Sequence, residues 1–594
     1  MNANRQRFVI LAVAAHLALP LAAQTSPDMR TALDSLAALA STELRDTSEA
    51  RSVALAIARF ANRGVRSADG ARTAAEILRR WPELTAGTEY APPPAPMSAS
   101  RIGDAPAAPV PTGMHPAVYA LMRMADSALI TPHTDLLLDA TRSPNADIRM
   151  HAIAALGRTR RDAARLRAAE LLGGDPDWRV RTNAVRALTG GKPSAPTSKR
   201  MLAALLGALQ SRSTQIVKAV LEALPQIGVG HMRLSLALTS MADTLASPDL
   251  RGAAIRALAA ALPDITHDRL VAWSRAPATV PAMLTTAATL SKDRGTVHAA
   301  IKGWIAASLV SNDAAVAAAA VEAWAELWRI ERAEVRADAA ALDREYESQL
   351  VAAFVLHADA ARPRAGALQA AAAVMTDSAL TDDARSARWH ALLAATIARI
   401  GARLDVETVN VFADALGALA PPAAPDAVPA EAASAADVRR RYIPAPRLAA
   451  GSIPSNLRPR VRIETSRGRI LAELFADEAP ATVEAFVGLV RAGFYNGLTF
   501  HRVVPNFVVQ GGDPNGDGTG GPGFRLPTEP SQRMYVRGMI GMASSGRDTE
   551  GSQFFIMHSA HPHLDGRYTL FGRVVEGMDV VDALEVGDRI LEMK

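Results

Sequence analysis

The sequence predicts two folds in series: an all-α solenoid of repeated helices, then a compact domain of short β-strands. Three observations carry this expectation. Apolar triplets recur on one helical face at steps of 32, 36 and 34 residues in the first part of the chain. From Val461 the pattern changes to short alternating runs of strand character. Between the two, residues 421–459 are rich in Pro and Ala, a composition that makes spacers and not packed cores. The length of 594 residues agrees, because a single core stops growing at about 250–300 residues.

The N-terminus reads as an export signal. Arg5 and Arg7 precede an apolar run from Phe8 to Leu21, and small residues Ala22 and Ala23 follow. A charged start, a short apolar run and a small-residue exit describe a secretory signal peptide over residues 1–24. A membrane anchor fits less well: the run falls short of the roughly 20 apolar residues that a spanning helix needs, and it contains Pro20. The chain has no Cys, so it has neither disulfides nor thiolate metal sites. Together these predict an exported protein, periplasmic or secreted, with no stable membrane insertion once the signal is removed. The net charge of +5 is small for this length, and no Lys/Arg block tracks a phosphate backbone, which argues against nucleic acid as a partner.

Residues 25–420 form the predicted solenoid. Ile148, Ile153 and Leu156 align with Val180, Val185 and Leu188, then with Ile216, Leu221 and Leu224, and then with Leu250, Ile255 and Leu258. Val316, Val321 and Trp324 fall on the same frame further on. Positions i, i+5 and i+8 share one helical face. Ala152, Ala184, Ala254 and Ala320 hold an equivalent inner position, small enough for close helix approach. Ser143-Pro144, Asp175-Pro176 and Ser247-Pro248 each place a capping side chain before a first-turn proline. Segments 51–61 and 383–400 read as further helices, whereas 91–116, rich in Pro, Ala and Ser, interrupts the array. The period resembles HEAT-type repeats, which implies a face for protein partners.

The C-terminal domain, 460–594, opens with a hairpin: Val461 to Thr465, a turn at Ser466-Arg467-Gly468, and Ile470 to Leu474. A helix follows from Pro480 with Phe486, Val487, Leu489 and Val490 on its apolar side, ending at Gly493. The run Phe500 to Asp513 then sets Arg502, Phe507 and Gln510 near alternate strand positions, and Gly551 to Ile556 repeats the pattern with Gln553 and Phe555. Residues 513–523 form a Gly-rich loop that matches neither phosphate-binding fingerprint.

These runs, with Gly518 to Gly521, Gly541-Met542-Ala543, Leu564-Asp565-Gly566 and Phe571-Gly572, resemble the cyclophilins in the right order over nearly a whole domain. The resemblance implies a closed eight-stranded antiparallel barrel capped by two helices. It also implies peptidyl-prolyl cis/trans isomerase activity on proline-containing polypeptides, with no cofactor and no metal. By resemblance Arg502 is the catalytic residue. Phe507, Val508, Phe555 and Leu564 line the cup for the proline ring, and Tyr568 walls it. Gln510 and Gln553 bind the peptide backbone or orient Arg502, while Ala543 and Ser544 lie under the substrate backbone. Val508, Ser544 and His563 depart from the usual Met, Asn and Trp. His501 reads as a core or hydrogen-bonding histidine, and the His558, His561 and His563 cluster lacks the acidic partners of a metal site.

The expected function is therefore an exported isomerase that assists folding of envelope proteins, its solenoid binding clients or partners and its barrel tethered loosely by the spacer. The alternative is a scaffold whose barrel binds Pro-containing segments without turning them over.

Overall fold

The computed structural model describes residues 44–419 and 458–594, apart from 63–64, 85–112, 192, 228–231, 246, 274–280, 335–338, 362 and 405. The signal segment, most of the 91–116 interruption and nearly all of the 421–459 spacer lie outside the described residues. The rest divides as the composition predicts, helices first and then strands.

The array has two layers. Helices Thr47–Asn62, Pro116–Met124, Ala146–Gly157, Trp178–Ala187, Thr214–Ile227, Pro248–Ala261, Pro281–Arg294, Ala314–Glu334, Ala365–Met375 and Val406–Ala418 pack each on the next to form one of them. Antiparallel partners such as Asp162–Gly174 and Ala195–Leu209 form the other. Every residue of the predicted apolar triplets is buried, and Ala152, Ala184, Ala254 and Ala320 are wholly so. The small alanines let neighbouring helices approach closely, which a larger side chain there would prevent.

Two of the three predicted caps behave differently. Ser247 does cap its helix, accepting from the Leu250 amide at 3.5 Å with Pro248 at the first position. Ser143 instead accepts from Asn145 N at 3.1 Å, and Asp175 from Asp177 N at 2.9 Å, each closing a turn before the helix. Asn145 and Asp177 are the real caps, each accepting an amide hydrogen from the first turn. A second short polar side chain two residues on competes successfully for the N-cap position.

In the C-terminal domain β1 (Arg460–Thr465), β2 (Gly468–Leu474), β3 (Arg502–Val504), β4 (Val508–Gly511), β5 (Met539–Met542), β6 (Phe554–Met557), β7 (Leu570–Glu576) and β8 (Ile590–Met593) form one antiparallel sheet. Its order is β3-β4-β6-β5-β7-β2-β1-β8. The segment before β3 closes the barrel, because Phe500 N donates to Asp588 O and Ile590 N to Leu498 O, both at 2.8 Å. Helix Pro480–Arg491 caps one end, burying Val483, Phe486, Val487 and Val490 at helical spacing. The Glu529 carboxylate accepts from its Ala481 and Thr482 amides at 3.1 and 2.8 Å, which suits a helix N-terminus. Helix Met578–Ala583 is the second cap.

The barrel is docked on the array, contrary to the loose tether expected from the spacer. Arg186 donates to Pro505 O at 2.9 Å, Lys218 to Val503 O at 2.9 Å and Gln215 to Leu584 O at 2.8 Å. Asn506 donates to Asn183 at 3.1 Å, and Trp178 meets His558 edge-on at 5.0 Å. Residues 562–564 pack on helix Thr47–Asn62, and Gly366, near the other end of the array, donates to Asp517 at 3.2 Å. All these helices belong to the same layer, so the array wraps the barrel. Sequence periodicity gave no hint of this, because side chains hydrogen-bonded to carbonyls of a distant segment leave no periodic trace.

Candidate active site

Strand alternation builds the site. Arg502 on β3, Gln510 on β4, Phe555 on β6 and Gly541 on β5 are successive cross-strand partners and share one face of the sheet. Between them Val503, Val509, Ile556 and Ile540 turn inward and join the barrel core. The outer face thus carries a polar row beside an apolar cup.

The polar row has a defined sense. Gln553 Nε2 donates to the carbonyls of Gly518 (2.9 Å) and Gly520 (2.8 Å), which fixes that amide's orientation. Its Oε1 therefore faces Gln510 Nε2, the donor at 3.0 Å, and Gln510 Oε1 accepts from Arg502 Nη1 at 3.2 Å. The Arg502 guanidinium, exposed at the end of this relay, lies 5.8 Å from the Phe507 ring centroid. Two carbonyls of the Gly-rich loop thus aim a permanent cation over the cup.

The cup has a buried floor and a half-buried rim. Val508, Phe555 and Leu564 form the floor with Tyr535 and Met539, while Phe507, Ala543 and Tyr568 stand at the rim. Tyr535 lies 5.5 Å from Phe555 between ring centroids, and Tyr568 stands edge-on to Phe555 at 6.0 Å. Gly541 makes room for them, since a Cβ there would run into Tyr535 and lie 2.6 Å from Phe555 Cζ. Ser544 sits beyond the rim in an adjoining cavity that Gln510, Ala543 and Gln553 also line. Every residue expected at the site falls in this one region. His501 is half-buried beside Asp513 and Asp517, off the cup.

The three clustered histidines are held in structural contacts, and His561 and His563 both meet the Phe507 ring. His558 packs on Trp178, His561 bonds Asn506 O at 3.0 Å, and His563 stacks on Phe507 at 5.9 Å and 23°. Among the described residues no three His, Cys, Asp or Glu side chains are placed to hold a metal ion.

The family model for cyclophilin type peptidyl-prolyl cis-trans isomerases matches residues 460–592. A peptidyl-prolyl cis-trans isomerase of Synechococcus elongatus is 51% identical over 134 residues, which is 22% of this chain and 92% of that relative. The chain belongs to the cyclophilin family. Its cyclophilin domain is the peptidyl-prolyl cis-trans isomerase part of the protein, and the described residues before it are mostly helical. Peptidyl-prolyl cis-trans isomerase B of Bacillus subtilis is similar at 47% identity over 128 residues, 21% of this chain and 90% of the relative. A solved Cryptosporidium parvum cyclophilin type isomerase shares 32% identity with a TM-score of 0.22, covering 23% of this chain and 96% of that one. The model for HEAT repeats matches residues 134–225.

Sequence reading missed the residues that steady this cyclophilin site from outside. Tyr535 gives the cup its floor, and its amide donates to Asp565 at 2.7 Å, tying down the segment that follows Leu564. Lys218, held by Asp249 at 2.6 Å, and Arg186 grip the carbonyls of Val503 in β3 and Pro505 at the start of the β3–β4 turn. Lys218, Asn183 and Gln215 are polar and buried, but the same helical layer also buries Asp147, Arg149, His151, Arg179 and Thr182, so polarity alone did not single them out.

We expect the seam between barrel and array to respond to pH. Burial holds His558 down at about 4, His561 at about 3, His563 at about 4 and His151 of the array at about 4. An unfolded chain takes up these protons near 6.5, so stability is lost as pH falls from that value toward 4. Burial pushes Glu550 and Asp565 up to about 7, which acts oppositely over the same window, since the folded form binds those protons first. Four histidines outweigh two carboxyls. We expect a lower Tm at pH 5 than at pH 7.5, and a steeper drop in Glu550→Gln, which loses an opposing group. Equal Tm values at the two pH values would contradict this.

Proposed function

We propose that this protein is an exported isomerase of X–Pro bonds that helps envelope proteins fold, with Arg502 as the catalytic group. The X–Pro amide rotates over a barrier of roughly 18–20 kcal/mol because its C–N bond is partly double. Uncatalysed exchange takes on the order of tens of seconds. When the amide twists, its nitrogen regains a lone pair and becomes a hydrogen-bond acceptor. A cation held at that nitrogen stabilises the twisted state more than either planar one, and the difference lowers the barrier. No bond breaks, so no nucleophile is needed.

One observation carries the reading: the Gln553–Gln510–Arg502 relay holds a guanidinium over an apolar cup. Phe507, Val508, Phe555, Leu564 and Tyr568 receive the proline ring. Gln510, Ala543, Ser544 and Gln553 receive the backbone beside it. The array supports the site and binds clients or protein partners. Much of one helical layer already meets the barrel, so clients reach the array at the margin between the two. The signal-like segment 1–24 supports export.

The test is a protease-coupled assay of the full chain on an Ala-Pro-Phe peptide, paired with fractionation of the tagged precursor. Turnover above the uncatalysed rate and a processed chain in the envelope fraction are the expected results. Peptide binding without turnover would make the protein a Pro-segment binder, and an unprocessed cytosolic chain would end the envelope assignment.

A further inference from the structure

The cavity that adjoins the cup is shared between the two domains. It encloses about 450 Å³, and its barrel side includes Ala543, Ser544 and Gln553, where the client backbone is placed above. Its opposite wall is Pro363, Arg403 and Leu404 of the array. A client with its proline in the cup and its backbone over Ala543 and Ser544 therefore runs on between barrel and array.

The far wall is fixed. Asp517, at the edge of the Gly-rich loop, accepts the Gly366 amide at 3.2 Å in the first turn of helix Ala365–Met375. A Cβ at Gly366 would lie 2.7 Å from Asp517 Oδ2, so glycine permits the close approach. The other Asp517 oxygen accepts the Thr519 amide at 2.9 Å, which binds the loop's own fold to the same contact. Arg403 is anchored as well: Nη2 donates to Ala360 O at 2.5 Å and Ala361 O at 2.9 Å, while the side chain stays exposed at the cavity.

The charge on this cavity has one sign. Among the described residues that line it, the charged side chains are Arg403 and Arg525, and none is Asp or Glu. The rest are amides, hydroxyls, glycines and a few apolar groups, which favour extended backbone and do not select a large apolar side chain. A guanidinium with one nitrogen anchored keeps its planar donor edge oriented toward a carboxylate.

We propose that Arg403 recognises an acidic side chain of the client within a few residues of the proline being isomerised. The helical array thereby selects which X–Pro bonds the barrel turns over. This rests on the isomerase reading of the same site and adds a client class to it: proline segments with a nearby Asp or Glu.

The test uses the full chain and peptides with one proline, carrying Glu or Gln at the second or third residue on either side of it. Exchange is read by NMR, and the Glu-to-Gln ratio of rates is compared within each protein, so that effects common to both peptides cancel. Wild type should favour Glu by about three- to tenfold at one of these positions, more at low salt than at high, as an exposed but anchored charge pair does. Arg403→Ala should bring the ratio to about one, and Arg403→Lys should keep part of it. A ratio of one at every position in wild type, or a preference that survives Arg403→Ala, overturns the proposal. If no peptide is turned over the isomerase reading fails instead, and dissociation constants of the same peptide pairs from shift titration then decide the Arg403 preference.

Discussion

Replacing Arg502 with Ala should slow X–Pro exchange on a simple peptide by about 10²- to 10³-fold, the loss seen when one donor aimed at a transition state is removed. The fold should survive. Arg502 is exposed, its guanidinium donates to Gln510 at 3.2 Å, and its backbone partner in β4 is unaffected. Surface substitutions of this kind usually change stability by less than about 0.5 kcal/mol. Arg502→Lys separates charge from geometry. Lysine keeps the cation but not the planar fork that Gln510 orients, so partial activity is expected. Far-UV CD and thermal unfolding check the fold, and exchange rates check the chemistry. Arg502→Ala with wild-type turnover would remove the cation from the mechanism and leave only the cup.

The barrel was legible through its resemblance to the cyclophilins, which the family model matches over residues 460–592. Period-2 alternation put Arg502, Gln510 and Phe555 on one face, and the same alternation buried Val503, Val509 and Ile556. The triplets of the array were legible because a buried helical stripe repeats with every unit, and all of them are buried. Local chemistry was less decisive: Ser143 and Asp175 had the right composition for caps, but Asn145 and Asp177 stood two residues on and took the position. The docking of the two domains left no trace in any window of sequence. Its contacts join residues more than 150 positions apart, as from Gly366 to Asp517 or Lys218 to Val503. Arg403 and the Gly-rich loop come to line one cavity only after both folds exist.

The joint between the folds has an energetic signature at Arg179. This side chain is 2% exposed and donates to Asp147 at 2.8 Å and to Asp177 at 2.7 Å, linking one helical unit to the one before it. Both carboxylates have further duties, since Asp147 accepts the Gly113 amide at 2.7 Å and Asp177 caps helix Trp178–Ala187. The barrel's Asp582 adds its field to the same guanidinium, and together the three carboxylates raise its pKa against the effect of burial. Arg179→Ala leaves Asp147 and Asp177 buried with their cation gone, an arrangement that typically costs about 3–5 kcal/mol. Arg179→Lys should recover only part of this, because one ammonium cannot span both partners as the fork does. The decisive reading is the shape of the unfolding curve. If barrel and array are coupled through Trp178, His558, Lys218 and Val503 as the contacts imply, the variant shifts one shared transition, and isomerase activity is lost along it. Two transitions, with only the helical one displaced, would mean that the barrel stands on its own core and that the contacts on β3 orient it without holding it.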